Sequence, residues 1–428
     1  MDYEATLDHL YRLERFGIKL GLDNIRRLLS ALGDPHRDLR AIHVTGTNGK
    51  GSVCAYAASA LQAAGHRVGL YTSPHLVRFN ERIRVDGIPI ADADVLRLWA
   101  GMQPAIEGMG GRDKVNHPTF FEVTTAMAFE YFRERGIDVA VVEVGMGGRM
   151  DATNVLGSDV AVITRVGLEH TEHLGKTVER IAREKSGIIK STSRTVTVTQ
   201  QALPVIEARC LEVRSPLVVV GRDVHVDRLA HDLRGQRIRV RGSFGELDVR
   251  TPLLGSFQAE NVGLAVTALT ELRAKGFEIP DRAIVEGLAS TRWPARFEIL
   301  RDRPMVLVDG AHNSPAASAL AEALRELFPG RKFLLVVGIL SDKDLPSMAA
   351  SLGPFATHVY ATHPRSHRAF PAADVAAAFR PYGPVEVVPA VRDAVDRAIA
   401  DAGSEDSVLI TGSIYTAGEA LEHLGERP

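Results

Sequence analysis

The chain has 428 residues, of which 45% are hydrophobic, 24% charged and 6% aromatic, a balance that excludes disordered, collagen-like and coiled-coil chains. At about 150 residues per domain it makes two or three domains, or two large α/β ones. Lysine plus arginine (51) against aspartate plus glutamate (53) leaves a formal charge of −2, so nothing global draws the chain to nucleic acid or an anionic membrane.

Cys54 and Cys210 are the only cysteines, too few for a disulfide framework or a thiolate zinc site. Met1 to Phe16 scatters Asp2, Glu4, Asp8 and Glu14 among apolar residues and lacks the basic head and apolar run of a signal peptide. The longest apolar runs, such as Phe333 to Val337, fall far short of the roughly 20 residues that cross a bilayer. A cytoplasmic protein without membrane or nucleic-acid partners is expected.

From Ala41 onward, β-branched runs alternate with stretches of helical period: Ala41 to Val44, Ser52 to Ala64, Arg67 to Tyr71. Strands at Val139 to Val144 and Val160 to Val166, with helices at Pro118 to Arg135 and Thr177 to Ile188, continue a parallel sheet flanked by helices. Between Leu217 and Thr251 the period falls to two, which predicts antiparallel strands on the edge of this first domain. Helices over Phe257 to Lys275 and Asp281 to Leu288 lead to Thr291-Arg-Trp-Pro-Ala-Arg296, read as the linker. Strands at Met305 to Val308, Phe333 to Val337, His358 to Tyr360, Val385 to Val388 and Val408 to Ile410 then build a second α/β domain, with helices at Pro315 to Leu327 and Ala390 to Ala400. The expected architecture is an N-terminal P-loop-type, mostly parallel sheet with a small antiparallel edge (1–292), a linker (293–296) and a smaller C-terminal Rossmann-like α/β domain (297–428).

The strongest local signal is His43-Val-Thr-Gly-Thr-Asn-Gly-Lys-Gly-Ser52, which follows a strand and runs into a helix. Gly46, Gly49 and Gly51 let backbone N–H groups, including those of Thr47 and Asn48, converge on phosphate oxygens, and Lys50 reaches the outer phosphates. Ser52 would then reach Mg²⁺, although Gly51 intervenes where the usual phosphate loop has Ser or Thr directly after the lysine. The competing reading is a glycine-rich strand-to-helix turn.

Glu143 closes the next buried strand, before Gly-Met-Gly-Gly-Arg149. Strand C-termini face the ligand crevice of a parallel sheet, so Glu143 either holds Mg²⁺ or pairs with Arg149. His170 sits in a post-strand loop as a metal ligand, a phosphate contact or a plain loop residue. Lys185 is ambiguous: an ammonium contacts phosphate but cannot ligate a metal, whereas a CO₂-derived carbamate supplies two anionic oxygens.

Together these segments resemble the Mur ligase superfamily, and within it the folylpolyglutamate synthase and dihydrofolate synthase branch. The resemblance rests on Thr45 to Ser52, Ser73-Pro-His-Leu76, Phe79-Asn-Glu-Arg-Ile83, Thr119-Phe-Phe-Glu122, Glu143 to Asn154, Glu184-Lys-Ser-Gly-Ile188, Asp309-Gly-Ala-His-Asn313 and Asp342-Lys-Asp344, in family order over nearly the whole chain. It implies an ATP-dependent ligase adding L-glutamate to dihydropteroate or tetrahydrofolates, with two Mg²⁺ ions. Ser52, Ser73 and Glu143 would hold one ion, and Glu143, His170 and carbamylated Lys185 the other. Arg296 would face the ATP phosphates, Asn261 the adenine end, and Asp309 and His312 the nucleotide across the cleft. Arg82, Thr119, Phe121, Asp151 and Ser413 match substrate positions.

Three residues depart from the family pattern: Glu169 stands for a usual Asp, Ser186 for Ala, and Ala295 for the Gly of a Pro-Gly-Arg linker. A monomer is expected. Ligases that lengthen polyglutamate only, or other Mur-type amino-acid ligases, are the alternatives.

Overall fold

The computed structural model describes residues 2–13, 21–109 and 117–426, so the part of the opening stretch from Glu14 to Phe16 lies outside the described residues. Seventeen strands form three sheets among these residues.

The largest sheet has the order β4-β3-β2-β5-β1-β6-β7-β8. Its strands are β1 (Ala41–Thr45), β2 (Val68–Tyr71), β3 (Ile83–Val85), β4 (Ile88–Pro89), β5 (Val139–Glu143), β6 (Val160–Ile163), β7 (Arg194–Val198) and β8 (Leu217–Val220). The order places β1 between β5 and β6, with every residue of all three strands buried. That explains their unbroken apolar character, because a parallel strand covered on both faces has no solvent side to alternate with. Ile42 and Val44 join a core with the helices Lys50–Ala63 and Phe257–Arg273, while Ala41, Ala140 and Val142 join a second core with the helix Phe120–Arg135. Strand alternation then assigns His43 and Thr45 to one side of β1 and Ile42 and Val44 to the other.

The period-two region resolves differently from its sequence reading. Leu217–Val220 is a parallel strand of the main sheet, paired with β7. The strands β9 (His225–Asp232), β10 (Gly235–Gly242) and β11 (Gly245–Thr251) form a separate antiparallel sheet. Ile238, Val240, Leu247 and Val249 pack into the same core as Val262, Val266 and Leu269 of the helix Phe257–Arg273, so the alternation records burial against a helix. The antiparallel edge of the main sheet is instead β3 and β4, on its opposite side.

The third sheet has the order β12-β13-β17-β14-β15-β16, with β12 (Glu298–Asp302), β13 (Met305–Val308), β14 (Phe333–Val337), β15 (Ala356–His363), β16 (Val385–Ala390) and β17 (Ser407–Thr411). All its pairings are parallel except β12 with β13. No helix among the described residues is long and apolar enough to cross a membrane.

Between the main and third sheets the chain turns through Ala295 and Phe297, both at positive φ (54° and 51°). A side chain is disfavoured there, which gives physical meaning to the glycine usual at position 295. Three bonds over-determine the turn: the Ala295 N–H donates to Glu298 Oε2 (2.8 Å), and the Ala295 carbonyl accepts from the Gly310 N–H and Arg296 Nη1, both at 2.9 Å.

Two positions test this packing. A Cβ on Gly287 would lie 2.3 Å from Ala60 Cα of the helix Lys50–Ala63. Gly287→Ala is therefore expected to cost about 1–3 kcal/mol through overpacking. Ser186, where the family usually has Ala, holds a buried hydroxyl with no hydrogen-bond partner. Ser186→Ala is expected to stabilise by about 1 kcal/mol. Denaturant unfolding of both variants reads the two opposite signs.

Candidate active site

The turn after β1 is shaped by close backbone approach. Gly46 has φ 150°, and a Cβ there would lie 1.7 Å from Thr164 Oγ1; Gly49 has φ 89°, and a Cβ would lie 2.4 Å from Asn261 Oδ1. Only glycine fits both demands. Thr47 Oγ1 donates to the Gly167 carbonyl (3.1 Å), and the Thr164 hydroxyl donates to the Asn48 carbonyl (2.7 Å), so the turn is moored to the loop after β6. Gly51 lies against the Trp293 indole. The result is a fixed loop at a helix N-terminus, which suits an anion.

Two lysines converge on one oxygen of this loop. Lys50 Nζ donates to the carbonyls of Gly46 (3.1 Å) and Thr47 (3.0 Å), and Lys185 Nζ donates to the same Gly46 carbonyl at 2.6 Å. Burial, reinforced by the Lys50 charge, lowers the Lys185 amine to about 7. Lys185 is thus no solvated helix lysine: it is almost wholly buried and aimed at the phosphate loop.

Glu143 ends β5 beside Val44 and accepts the Ser73 backbone N–H at 3.2 Å. Burial pushes its carboxyl up, opposed by the charges of Lys50, Arg296 and Arg82 and by that N–H. Its sequence alternative, a pair with Arg149, does not form: Arg149 Nη2 binds Glu184 Oε1 at 2.9 Å. Arg296 also acts on Asp309, which burial pushes up and whose oxygens accept the N–H groups of Phe297 and Ala311, both at 2.8 Å.

Glu169, a departure from the family pattern and not among the expected site residues, joins the two halves. Asn313 Nδ2 donates to Glu169 Oε1 at 3.2 Å, and His312 Nε2 and His170 Nε2 lie 3.8 and 3.9 Å from the same oxygen. Asn313 also exchanges amide hydrogen bonds with Asn48 of the phosphate loop, at 3.1 and 3.2 Å. Burial works against Glu169 ionising, yet His312 and the charges of Lys50, Lys185 and His170 hold its carboxyl well below the usual range. Burial, with Lys343, Lys50 and Lys185, lowers His170 to about 4 despite Glu169. His170 caps the short helix Thr171–Leu174 at φ 48°.

The remaining expected residues are placed as follows. Arg82 Nε donates to His75 Nδ1 (2.8 Å), with its guanidinium 5.2 Å from the Phe120 ring centre. Thr119 caps the helix Phe120–Arg135 in a reciprocal box with Glu122, and Phe121 lies against Gly145. Asp151 is buried and accepts from the Met146 and Thr153 N–H groups (2.9 and 3.0 Å) and the Thr153 hydroxyl. Ser413 caps the helix Ile414–His423. Asn261 is held beside the phosphate loop, its Nδ2 donating to Gln258 Oε1 at 2.9 Å; Gln258 reaches the buried Ser52 Oγ at 3.4 Å.

The donor set fits a divalent cation in part. Glu143 is a buried carboxylate near Ser73, with no cationic hydrogen-bond partner among the described residues, which suits an oxygen-seeking ion. No group of three or more His, Cys, Asp or Glu able to hold a metal occurs among the described residues. A second ion at Glu143 and His170 therefore requires Lys185 to carry anionic oxygens.

Comparison with known proteins is consistent with this geometry. Residues 44–269 match the Mur ligase middle domain, and residues 295–414 the Mur ligase glutamate ligase domain. The chain belongs to the Mur ligase family. It is 35% identical to the dihydrofolate synthase/folylpolyglutamate synthase of Bacillus subtilis, over 99% of each chain, which places it in that branch. It is 38% identical to a probable bifunctional folylpolyglutamate synthase/dihydropteroate synthase of Halobacterium salinarum, over 98% of this chain and 51% of the relative; the chain thus spans about half the length of that relative. Among solved structures, E. coli FolC in complex with DHPP and ADP superposes with a TM-score of 0.88 at 33% identity, over 98% of this Mur ligase chain and 97% of the other.

Two measurements probe the site. Acylation of Lys185, followed by mass spectrometry, is expected to rise with pH with a midpoint near 7, because only the neutral amine reacts, whereas exposed lysines should rise toward about 10.4. Glu169→Ala is expected to loosen the two halves and enlarge the radius of gyration in small-angle X-ray scattering; an unchanged radius would show that the contact is dispensable.

Proposed function

We propose that the chain is an ATP-dependent ligase that joins L-glutamate to the carboxylate of dihydropteroate, and also of tetrahydrofolates, through an acyl phosphate. The observation that carries the reading is the convergence of Lys50 and Lys185 on the Gly46 carbonyl, with the C-terminal half seated over the loop through Asn313 and Asn48. The relatives' names and the ADP and DHPP of the E. coli complex support it. We assign residues 1–292 to the nucleotide-binding and acceptor half, 293–296 to the linker and 297–428 to the glutamate half, in a monomer working in the cytoplasm.

A carboxylate is a poor electrophile because its leaving group would be oxide. Moving the γ-phosphoryl of ATP onto it makes phosphate the leaving group, and the glutamate amine then attacks the acyl carbon. Lys50 and the N–H groups from Gly46 to Ser52 would hold the phosphates, offsetting charge as the phosphoryl moves. Arg296 would add a second cation from the linker side. Asp309 fixes the backbone at Phe297 and Ala311, and His312 faces the cleft beside Glu169. Packing the halves together excludes water that would hydrolyse the acyl phosphate.

Mg²⁺, when bound, would neutralise phosphate charge and polarise the transferred group. Ser52, Ser73 and Glu143 would hold one ion; Glu143, His170 and Lys185 as its carbamate the second. The Lys185 amine, lowered to about 7, is substantially neutral at physiological pH, the form that adds CO₂. Arg82, Thr119, Phe121 and Asp151 would contact the pterin-bearing acceptor, and Ser413 the glutamate side.

The purified protein with MgATP is expected to release phosphate only when both L-glutamate and an acceptor are present, giving one-glutamate-heavier products by mass. Turnover with dihydropteroate and with tetrahydrofolate supports both activities; tetrahydrofolate alone would restrict it to tail lengthening. Phosphate release without any amino acid would favour a kinase or hydrolase instead.

A further inference from the structure

β1 carries more than the phosphate loop. Its side chains His43 and Thr45, on one side of the strand, both reach the turn that follows β5. Thr45 Oγ1 donates to the Gly147 carbonyl at 2.6 Å, and His43 Nε2 lies 2.8 Å from Thr153 Oγ1. Thr153 in turn meets Asp151 Oδ1 through both its hydroxyl and its backbone N–H. His43, Thr153 and Asp151 are all buried.

Proton counting fixes the direction of this chain. Burial pushes the Asp151 carboxyl up, but the Thr153 hydroxyl and the Met146 and Thr153 N–H groups that its oxygens take all favour the carboxylate, which only accepts. The Thr153 hydroxyl proton therefore goes to Asp151, and its lone pair must be met by a donor. His43 is the partner at 2.8 Å, so its Nε2 carries the hydrogen. Burial keeps the ring neutral, and one proton spent at Nε2 leaves Nδ1 bare. Nδ1 is indeed a buried atom with no partner among the described residues. The opposite tautomer would bury an unpaired N–H and set two acceptor lone pairs against each other.

We propose that His43 is a positioning residue for the acceptor: through the Thr153 hydroxyl it fixes the Asp151 carboxylate, and so ties the strand bearing the nucleotide loop to the turn that meets the pterin. The proposal rests on the reading of Asp151 as an acceptor contact. Lys190 supports the same turn from behind, donating to the carbonyls of Asn154 and Leu156, and Asn154 Nδ2 donates to those of Arg149 and Gly187 at 3.0 and 3.1 Å. The turn is thus braced on several sides, and the His43 to Thr153 bond acts on the carboxylate itself.

Thr153→Val keeps the shape and removes the hydroxyl; Thr153→Ser keeps the hydroxyl. With MgATP and glutamate saturating, the KM for dihydropteroate or tetrahydrofolate is expected to rise about tenfold in Thr153→Val, the loss of one hydrogen bond to a charged group, and to return toward wild type in Thr153→Ser. His43→Leu should reproduce the Val variant and His43→Gln, which can present an N–H at a similar reach, should restore it. The KM for ATP should stay within about twofold. An acceptor KM unchanged in Thr153→Val, in a wild type that turns over a folate acceptor, overturns this role alone; so do KM values for ATP and acceptor that rise together with a lowered melting temperature. A wild type that uses no folate acceptor overturns the functional reading and this inference with it.

Discussion

The site depends on a single carbonyl oxygen, that of Gly46, receiving two lysine side chains, Lys185 buried and Lys50 half-buried. Two cations are not brought together in a protein interior without compensation. Here part of it comes from proton loss, since Lys185 is lowered to about 7, and part from carboxylates on adjoining elements, Glu169 among them. The arrangement leaves the Lys50 ammonium at the glycine turn, with a largely neutral Lys185 amine poised beside it. Such a field suits a polyphosphate better than any group the protein itself supplies.

That field also constrains how the halves meet. The C-terminal half presents the amide of Asn313 and the imidazole of His312, both at Glu169, with Lys343 acting on His170. An amide pair between Asn48 and Asn313 gives register without adding charge, because each side chain both donates and accepts. The carboxylate of Glu169 then serves both sides, answering the lysines of one half and the Asn313 and His312 of the other. Ala295 and Phe297, at positive φ, hold the connecting turn in a conformation that side chains resist, and the bonds from Glu298, Gly310 and Arg296 are what keep it there.

Much of this was readable in the chain. Fully apolar strands, glycines at a strand-to-helix turn and a glutamate at the end of the next strand are local features, and the parallel sheet with its crevice at the strand ends follows from them. What stayed hidden was whatever depends on a partner far away in sequence. Leu217–Val220 reads as part of a period-two region yet pairs in parallel with Arg194–Val198, because alternation reports how many faces are covered and not which strand lies alongside. Lys185 is ambiguous from its own helix, and the carbonyl that shows where its amine points lies 139 residues away. Glu169 differs from the family's usual aspartate by one methylene, and the reach to Asn313 belongs to the three-dimensional contact.

The same reasoning explains how the glycine loop and the turn after β5 share a strand. In a parallel sheet, residues two apart on β1 lie about 6.6–6.8 Å apart along one face, so a turn from the neighbouring strand can be held at two points by consecutive side chains of one face. His43 and Thr45 do this, one through a hydroxyl and one through a carbonyl. Both are buried, so their bonds compete with no water, and a shift of that turn must break them or move β1 as a whole. β1 is flanked by β5 and β6 and cannot move independently of them. The proposed phosphoryl transfer would need donor and acceptor held in line to a fraction of an ångström; the glycine loop that continues β1 and the turn its side chains hold are both anchored to the stiffest part of the sheet.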